Sequence, residues 1–289
     1  MKSFVMGLVK EITGRAILIG VIAAATIIFL VLASTADGQE APTAVRGSVL
    51  DTAQFQGHLW SYTGTFSPTE RNNVLSNIYA EQTVSIFARG SVSVTPYAAI
   101  GISMDTQGNP WNRSIQPVFG IKANKFFRYG MVSGVVAESY QDRFGSSAHG
   151  GTNYILDWFG WNPIGDPHSR FPGSTWGIVG HTVPVEHGNL IAQMYVQQGY
   201  VVRRFGKIAL IPYGEVTCSR DSKHLEWENK TLEGVGVKYV RPLGEMYVDV
   251  GAGYMYEQRS ESKRSGGGVK VFMDISYAWK NLLGKWGKS

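Results

Sequence analysis

The chain has 289 residues, with 27 Lys plus Arg against 22 Asp plus Glu. Lys2, Lys10, Arg15 and Glu11 lie in the first 36 residues, so the remainder carries 24 against 21, a net +3 that, with no basic stripe or zinc-ligand spacing, excludes nucleic acid as a partner. One cysteine, Cys218, excludes an internal disulfide, and 35 glycines stand beside 13 Phe, 14 Tyr and 8 Trp, pairing many permissive backbone positions with many large rings.

At the N-terminus, a basic segment (1–15) precedes an uncharged apolar run (16–34) and a small-residue exit, Ser34-Thr35-Ala36. This order predicts a secretory signal peptide over 1–36 and a linker over 37–56. The run is also long enough to cross a bilayer as a helix, so an uncleaved inner-membrane anchor is the competing reading. Both readings put the rest of the chain outside the cytoplasm. No later apolar stretch approaches helix-spanning length, so entry into a membrane requires strands.

Residues 60–143 are written again at 176–259 with no gap. The offset of 116 superposes Trp60 on Trp176, Glu70 on Glu186, Asn73 on Asn189, Pro96-Tyr97 on Pro212-Tyr213, Asp105 on Asp221, Lys122 on Lys238 and Arg143 on Arg259, among 18 identities. A self-match of this kind predicts two copies of one multi-stranded unit. In chain order the first copy (57–161) gives strands over 57–66, 77–88, 91–104, 113–123, 130–141 and 152–161. A proline-rich linker (162–172) follows. The second copy (173–279) gives strands over 173–182, 190–204, 207–219, 229–240, 245–257 and 267–279, and a tail (280–289) ends the chain.

The last strand alternates most cleanly: Val269, Val271, Met273, Ile275, Tyr277 and Trp279 share one face, with Lys270, Asp274 and Ser276 on the other. The segments from Val92, Ile208 and Met246 alternate in the same way. Such alternation suits a soluble sandwich, apolar face inward, or a membrane barrel, apolar face outward. Three features favour the barrel. The apolar faces end in aromatics, the strands run to 10 residues or more, and the apolar series carries almost no charge. The expected fold is therefore an all-β, antiparallel transmembrane barrel of about twelve strands, built from two six-strand halves. Short connections (Arg89-Gly90, Phe205-Gly206, 241–244) are assigned to the periplasm and longer polar ones (67–76, 105–112, 142–151, 220–228, 258–266) to the outside.

Candidate sites follow from the repeat. Tyr79, Glu81, Tyr97, Tyr195, Gln197, Tyr213 and Glu215 are predicted to face the lumen. They would line a passage for a polar solute or saccharide, or fill a closed interior with a hydrogen-bonded network. The Asp-x5-Trp loops pair Asp105 with Trp111 and Asp221 with Trp227. A carboxylate beside an indole can bind a sugar, and the alternative is a turn cap beside a girdle ring. Lys122 and Lys238 are expected near periplasmic strand ends, where a lysine snorkels. None of His58, His149, His168, His181, His187 and His224 recurs at offset 116, and no nucleophile, base and carboxylate set is legible. No catalytic residue, metal or cofactor is expected.

With these features the chain resembles Gram-negative outer-membrane β-barrel proteins. More distantly, Tyr79 to Gln82, Pro96-Tyr97 and Asp105 to Asn112 are similar to pieces of the C-terminal barrel region of phage-adsorption and exopolysaccharide-associated outer-membrane proteins. The resemblance implies outer-membrane lipid and the barrel-assembly machinery as partners, and a surface protein tied to envelope polysaccharide export or exploited as a phage receptor. The functional expectation is a channel or surface scaffold in the outer membrane. A periplasmic all-β binding module on an uncleaved anchor is the alternative, and a membrane-embedded hydrolase a third.

Overall fold

The computed structural model describes residues 54–65, 68, 70, 73–109, 112–127, 130–144, 147–160, 170–182, 184–186 and 188–280. The signal-peptide or anchor segment, most of the 37–56 and 162–172 linkers, the 281–289 tail, Trp111, His168 and His187 lie outside them.

Twelve long strands carry the fold: β1 (Gln54–Thr65), β2 (Val74–Ser85), β4 (Val92–Asp105), β5 (Ser114–Phe127), β6 (Gly130–Arg143), β7 (Ser147–Gly160), β8 (Gly173–Gly180), β9 (Ile191–Gly199), β11 (Ile208–Asp221), β12 (Lys230–Leu243), β13 (Met246–Arg259) and β14 (Ser265–Lys280). Two three-residue strands, β3 (Phe87–Arg89) and β10 (Arg203–Phe205), prolong β2 and β9 on their neighbours. Every pairing is antiparallel, and β1 bonds β14 from Gln56↔Lys280 to Gly64↔Phe272. The sheet therefore closes on itself and has no free edge, which lets strands cross a lipid phase with their backbone N–H and C=O groups paired.

Register decides which side of each strand faces where, because partners across a ladder share a face. Val235, Tyr254 and Val269 form one row, and it points outward: Val235 is 67% and Val269 70% exposed. Val271, Val237 and Phe119 are likewise outward and exposed. These side chains are not hidden between stacked sheets, which rejects the soluble sandwich. A continuous apolar exterior on a closed, even-numbered barrel has lipid as its solvent, and the chain is an outer-membrane β-barrel of the Gram-negative type. Tyr140, Tyr154, Tyr254 and Tyr256 crowd the outer half of this surface. Phe87, Phe127 and Phe205 stand exposed at the other end.

Two-residue connections follow β3, β5, β10 and β12 at one end, where β1 starts and β14 stops. Gly90, Gly206 and Gly244 in three of these turns have φ of +59°, +60° and +66°, the left-handed region that glycine enters without steric cost. Longer connections (66–73, 106–113, 181–190, 222–229 and 260–264) gather at the opposite, extracellular end. The expected loops 142–151 and 258–266 are shorter than the sequence suggests. Ser147–Gly151 continues β7 by pairing with Arg143–Ser139, and its small polar residues give no apolar signal.

The expected unbroken strands 77–88 and 190–204 are each interrupted. Thr83 pairs with Tyr97 and Phe87 with Val94, four steps on one strand against three on the other. Gly199 pairs with Tyr213 and Arg203 with Leu210, again four against three. Each is a bulge of one extra residue, opposite Pro96 and Pro212, which have no N–H to give the ladder. The bounds of β3, β4, β5 and β6 reappear, each 116 residues later, in β10, β11, β12 and β13.

Candidate functional site

The inward faces meet as two layers of side chains. In the lumen of the first half, Glu81 on β2 accepts hydrogen bonds from the Tyr79 hydroxyl at 2.5 Å and from Lys122 Nζ on β5 at 2.6 Å. Lys122 also lies over the Tyr97 ring, 4.4 Å from its centroid. Lys122 is thus not a snorkelling lysine. β5 runs on to Phe127, so the residue sits well inside the strand on its inward face, buried and paired. Lys238 is turned inward in the same way, donating to Gln197 and Asp249 at 2.7 Å each. Glu81 on β2 and Asp249 on β13 thus hold each cation against a carboxylate, as a buried charge requires.

In the second half the Tyr195 hydroxyl donates to Glu215 at 2.9 Å, and Lys270 Nζ donates to the same carboxylate at 2.5 Å. Phe272 fills the space beneath, stacked on Tyr62 at 6.2 Å and edge-on to Tyr213 at 6.1 Å. The Trp60 indole donates to Asp274 at 3.2 Å, and Trp176 stacks on Tyr195 at 5.7 Å. All seven lumen candidates therefore lie on inward faces. Tyr79, Glu81 and Tyr97 form one cluster with Lys122. Tyr195, Gln197, Tyr213 and Glu215 gather around Lys238 and Lys270.

At the extracellular mouth a second layer binds the loops. Asn73 donates to Glu70 and Asp105, both at 2.9 Å. Asn189 donates to Glu186 at 2.9 Å and Asp221 at 2.7 Å. Each aspartate also caps its own turn, Asp105 accepting from the Asn109 N–H and Asp221 from the Leu225 N–H, at 3.0 Å each. Arginines then tie the halves together: Arg259 on β13 donates to Glu70 at 3.0 Å, and Arg143 on β6 donates to Glu186. Arg259 also donates to Glu257, which is fully buried, at 2.5 Å. Asp105 and Asp221 are accordingly spent on intramolecular bonds, and Trp227 is half-buried. In the same loop, burial pushes the Glu228 carboxyl above its ordinary range, with the Lys230 charge opposing the shift.

Sequence reasoning missed Glu70, Glu186, Arg143 and Arg259 as a set. All four stand among the offset-116 identities, so the signal was present. Asp249 and Lys270 have no such mark. The remaining histidines are dispersed: His58 packs on Tyr79, His181 meets the Asn189 carbonyl and His224 pairs with Glu261. Among the described residues, no three His, Cys, Asp or Glu side chains converge as a metal site.

The sequence matches no protein-family model and no curated protein. Its fold is similar to several solved structures. One is the beta domain of the Bordetella autotransporter Brka (11% identity, TM-score 0.41, covering 78% of this chain and 99% of that one). A bacterial polysaccharide outer membrane secretin (9%, 0.38, 78% and 98%) and the KdgM porin (7%, 0.39, 78% and 99%) are others. At these identities and TM-scores none of them transfers a function.

Proposed function

We propose that this chain is a surface scaffold whose lumen is closed at rest, built by duplication of a six-strand unit. The observation that carries the reading is the set of buried or part-buried lumenal ion pairs, Lys122–Glu81, Lys270–Glu215 and Lys238–Asp249, with aromatic rings packed between them. Leu232 and Glu257, fully buried on inward faces of β12 and β13, add to the obstruction. An open aqueous pore would leave such groups hydrated. Duplication is supported by the equal strand bounds at offset 116, the paired bulges opposite Pro96 and Pro212, and the reciprocal Arg143–Glu186 and Arg259–Glu70 contacts.

The proposed partner of the outer surface is envelope polysaccharide, for which the longer polar loops between the strands offer the contact surface. Assembly through the barrel-assembly machinery is part of the same proposal, and catalysis is not. A second reading, a gated passage for a small polar solute or saccharide, is favoured by Trp60 and Trp176 lying on inward faces beside the tyrosines. Planar-bilayer recording separates the two. The scaffold reading expects wild-type protein to be electrically silent, and Lys122→Ala with Lys270→Ala to conduct once the plug is loosened. Steady ohmic conductance from the folded wild type would overturn it.

A further inference from the structure

We propose that the outer rim of the second half binds the phosphate of an outer-leaflet glycolipid. A cavity of about 290 Å³ opens there, lined by Arg220, Thr231, Tyr256, Lys263, Arg264 and Ser265 among others. Three of the six are cations and three carry hydroxyls, a set that matches a phosphate monoester. Arg220 is already fixed: its Nη1 donates to the Ser219 and Lys230 carbonyls at 2.6 and 2.9 Å. Lys263 and Arg264 come from the β13–β14 loop, and Lys263 has φ of +53°, an unusual conformation for a side-chain-bearing residue.

The position of the cavity identifies the ligand. By register, Thr231, Gln258 and Ser265 form the outermost row of this exterior surface. Glu233, Tyr256 and Gly267 form the next, and Val235, Tyr254 and Val269 the row below. A polar, cationic rim therefore stands directly above a wide apolar wall. That is the profile of an amphiphile with an anionic head and acyl chains, embedded in the outer leaflet. Glu233, one row below the cations, offers an acceptor to sugar hydroxyls. The matching positions in the first half, Met104, Ile115 and Asp142 in place of Arg220, Thr231 and Gln258, carry no cation. The site belongs to one side of the barrel only.

Native mass spectrometry of the detergent-extracted barrel tests this, with bisphosphorylated lipid A as the probe. Wild type should retain the lipid, and Arg220→Gln/Lys263→Gln/Arg264→Gln should weaken binding roughly tenfold or more. A control removing three cations at the periplasmic end, Arg203→Gln/Arg204→Gln/Lys207→Gln, should bind as wild type. Heat-modifiable mobility checks that each variant folds. Should the triple variant fail to fold, the exposed loop change Lys263→Gln carries the test, with a smaller loss expected. Equal retention of dephosphorylated lipid A, an equal loss in the periplasmic control, or no loss in the rim variants would overturn the proposal. Displacement by millimolar inorganic phosphate would overturn the lipid in favour of a free-anion site.

Discussion

Replacing Arg259 with alanine probes the mouth of the barrel at its most buried charge. Arg259 holds Glu257 at 2.5 Å and Glu70 at 3.0 Å, and the Glu257 side chain is fully shielded from solvent. Removing one partner of a buried pair leaves an uncompensated charge, at a cost of about 3–5 kcal/mol. Lys230 lies within electrostatic reach of Glu257 and remains in the variant, so the low end, about 3 kcal/mol, applies. With a urea m-value of roughly 2–3 kcal/mol/M, the unfolding midpoint in lipid vesicles should fall by about 1–1.5 M, read by tryptophan fluorescence. Adding Glu257→Gln should return a large part of the loss, because the orphaned charge is then gone. A loss below about 1 kcal/mol, or further destabilisation on adding Glu257→Gln, would refute the reasoning.

Other perturbations test other layers. Val237→Lys places a charge near the middle of outward-facing β12 and should cost about 2–4 kcal/mol in the same vesicle titration; a neutral result would deny lipid contact there. Gly57→Leu should destabilise by roughly 1–3 kcal/mol, since even a Cβ at Gly57 would stand 2.2 Å from the Trp279 ring, and a lowered temperature of heat-modifiable unfolding reports it. Glu228 binds its proton more tightly in the folded loop than unfolded, so the 222–229 loop should gain stability as pH falls through that raised value. The gain should level off below the ordinary glutamate range. Hydrogen exchange in the loop, corrected for intrinsic rates, should therefore slow as pH falls from neutral toward the ordinary glutamate range, and Glu228→Gln should abolish the dependence.

Much of the barrel was legible because strand alternation is local. The faces of Val92–Ile102, Ile208–Cys218, Met246–Tyr256 and Val269–Trp279 needed only the identity of every second residue. The bulges were not legible, because they fall in the strand facing a proline and not in the strand that contains it. The position of Lys122 was misjudged through strand length: the polar Asn124 and Lys125 masked four further residues of β5. The mouth was half legible. Glu70, Asn73 and Arg143 stood out as repeated residues, yet Arg143 reaches Glu186 and Arg259 reaches Glu70, contacts between halves that an alignment of one half on the other cannot suggest. The Asp105 and Asp221 loops were read as sugar sites or turn caps, and their aspartates serve as caps. Trp227 is half-buried, while Trp111 lies outside the described residues.

The central claim is that the apolar face of these strands touches acyl chains. Its most direct test uses the single native cysteine: in a Cys218→Ser background, each residue from Val269 to Ser276 is replaced by cysteine in turn and spin-labelled in lipid vesicles. Positions 269, 271, 273 and 275 should be accessible to dissolved oxygen and shielded from a polar relaxant, with 270, 272, 274 and 276 shielded from oxygen. The reverse phase, or no two-residue period at all, would contradict the account.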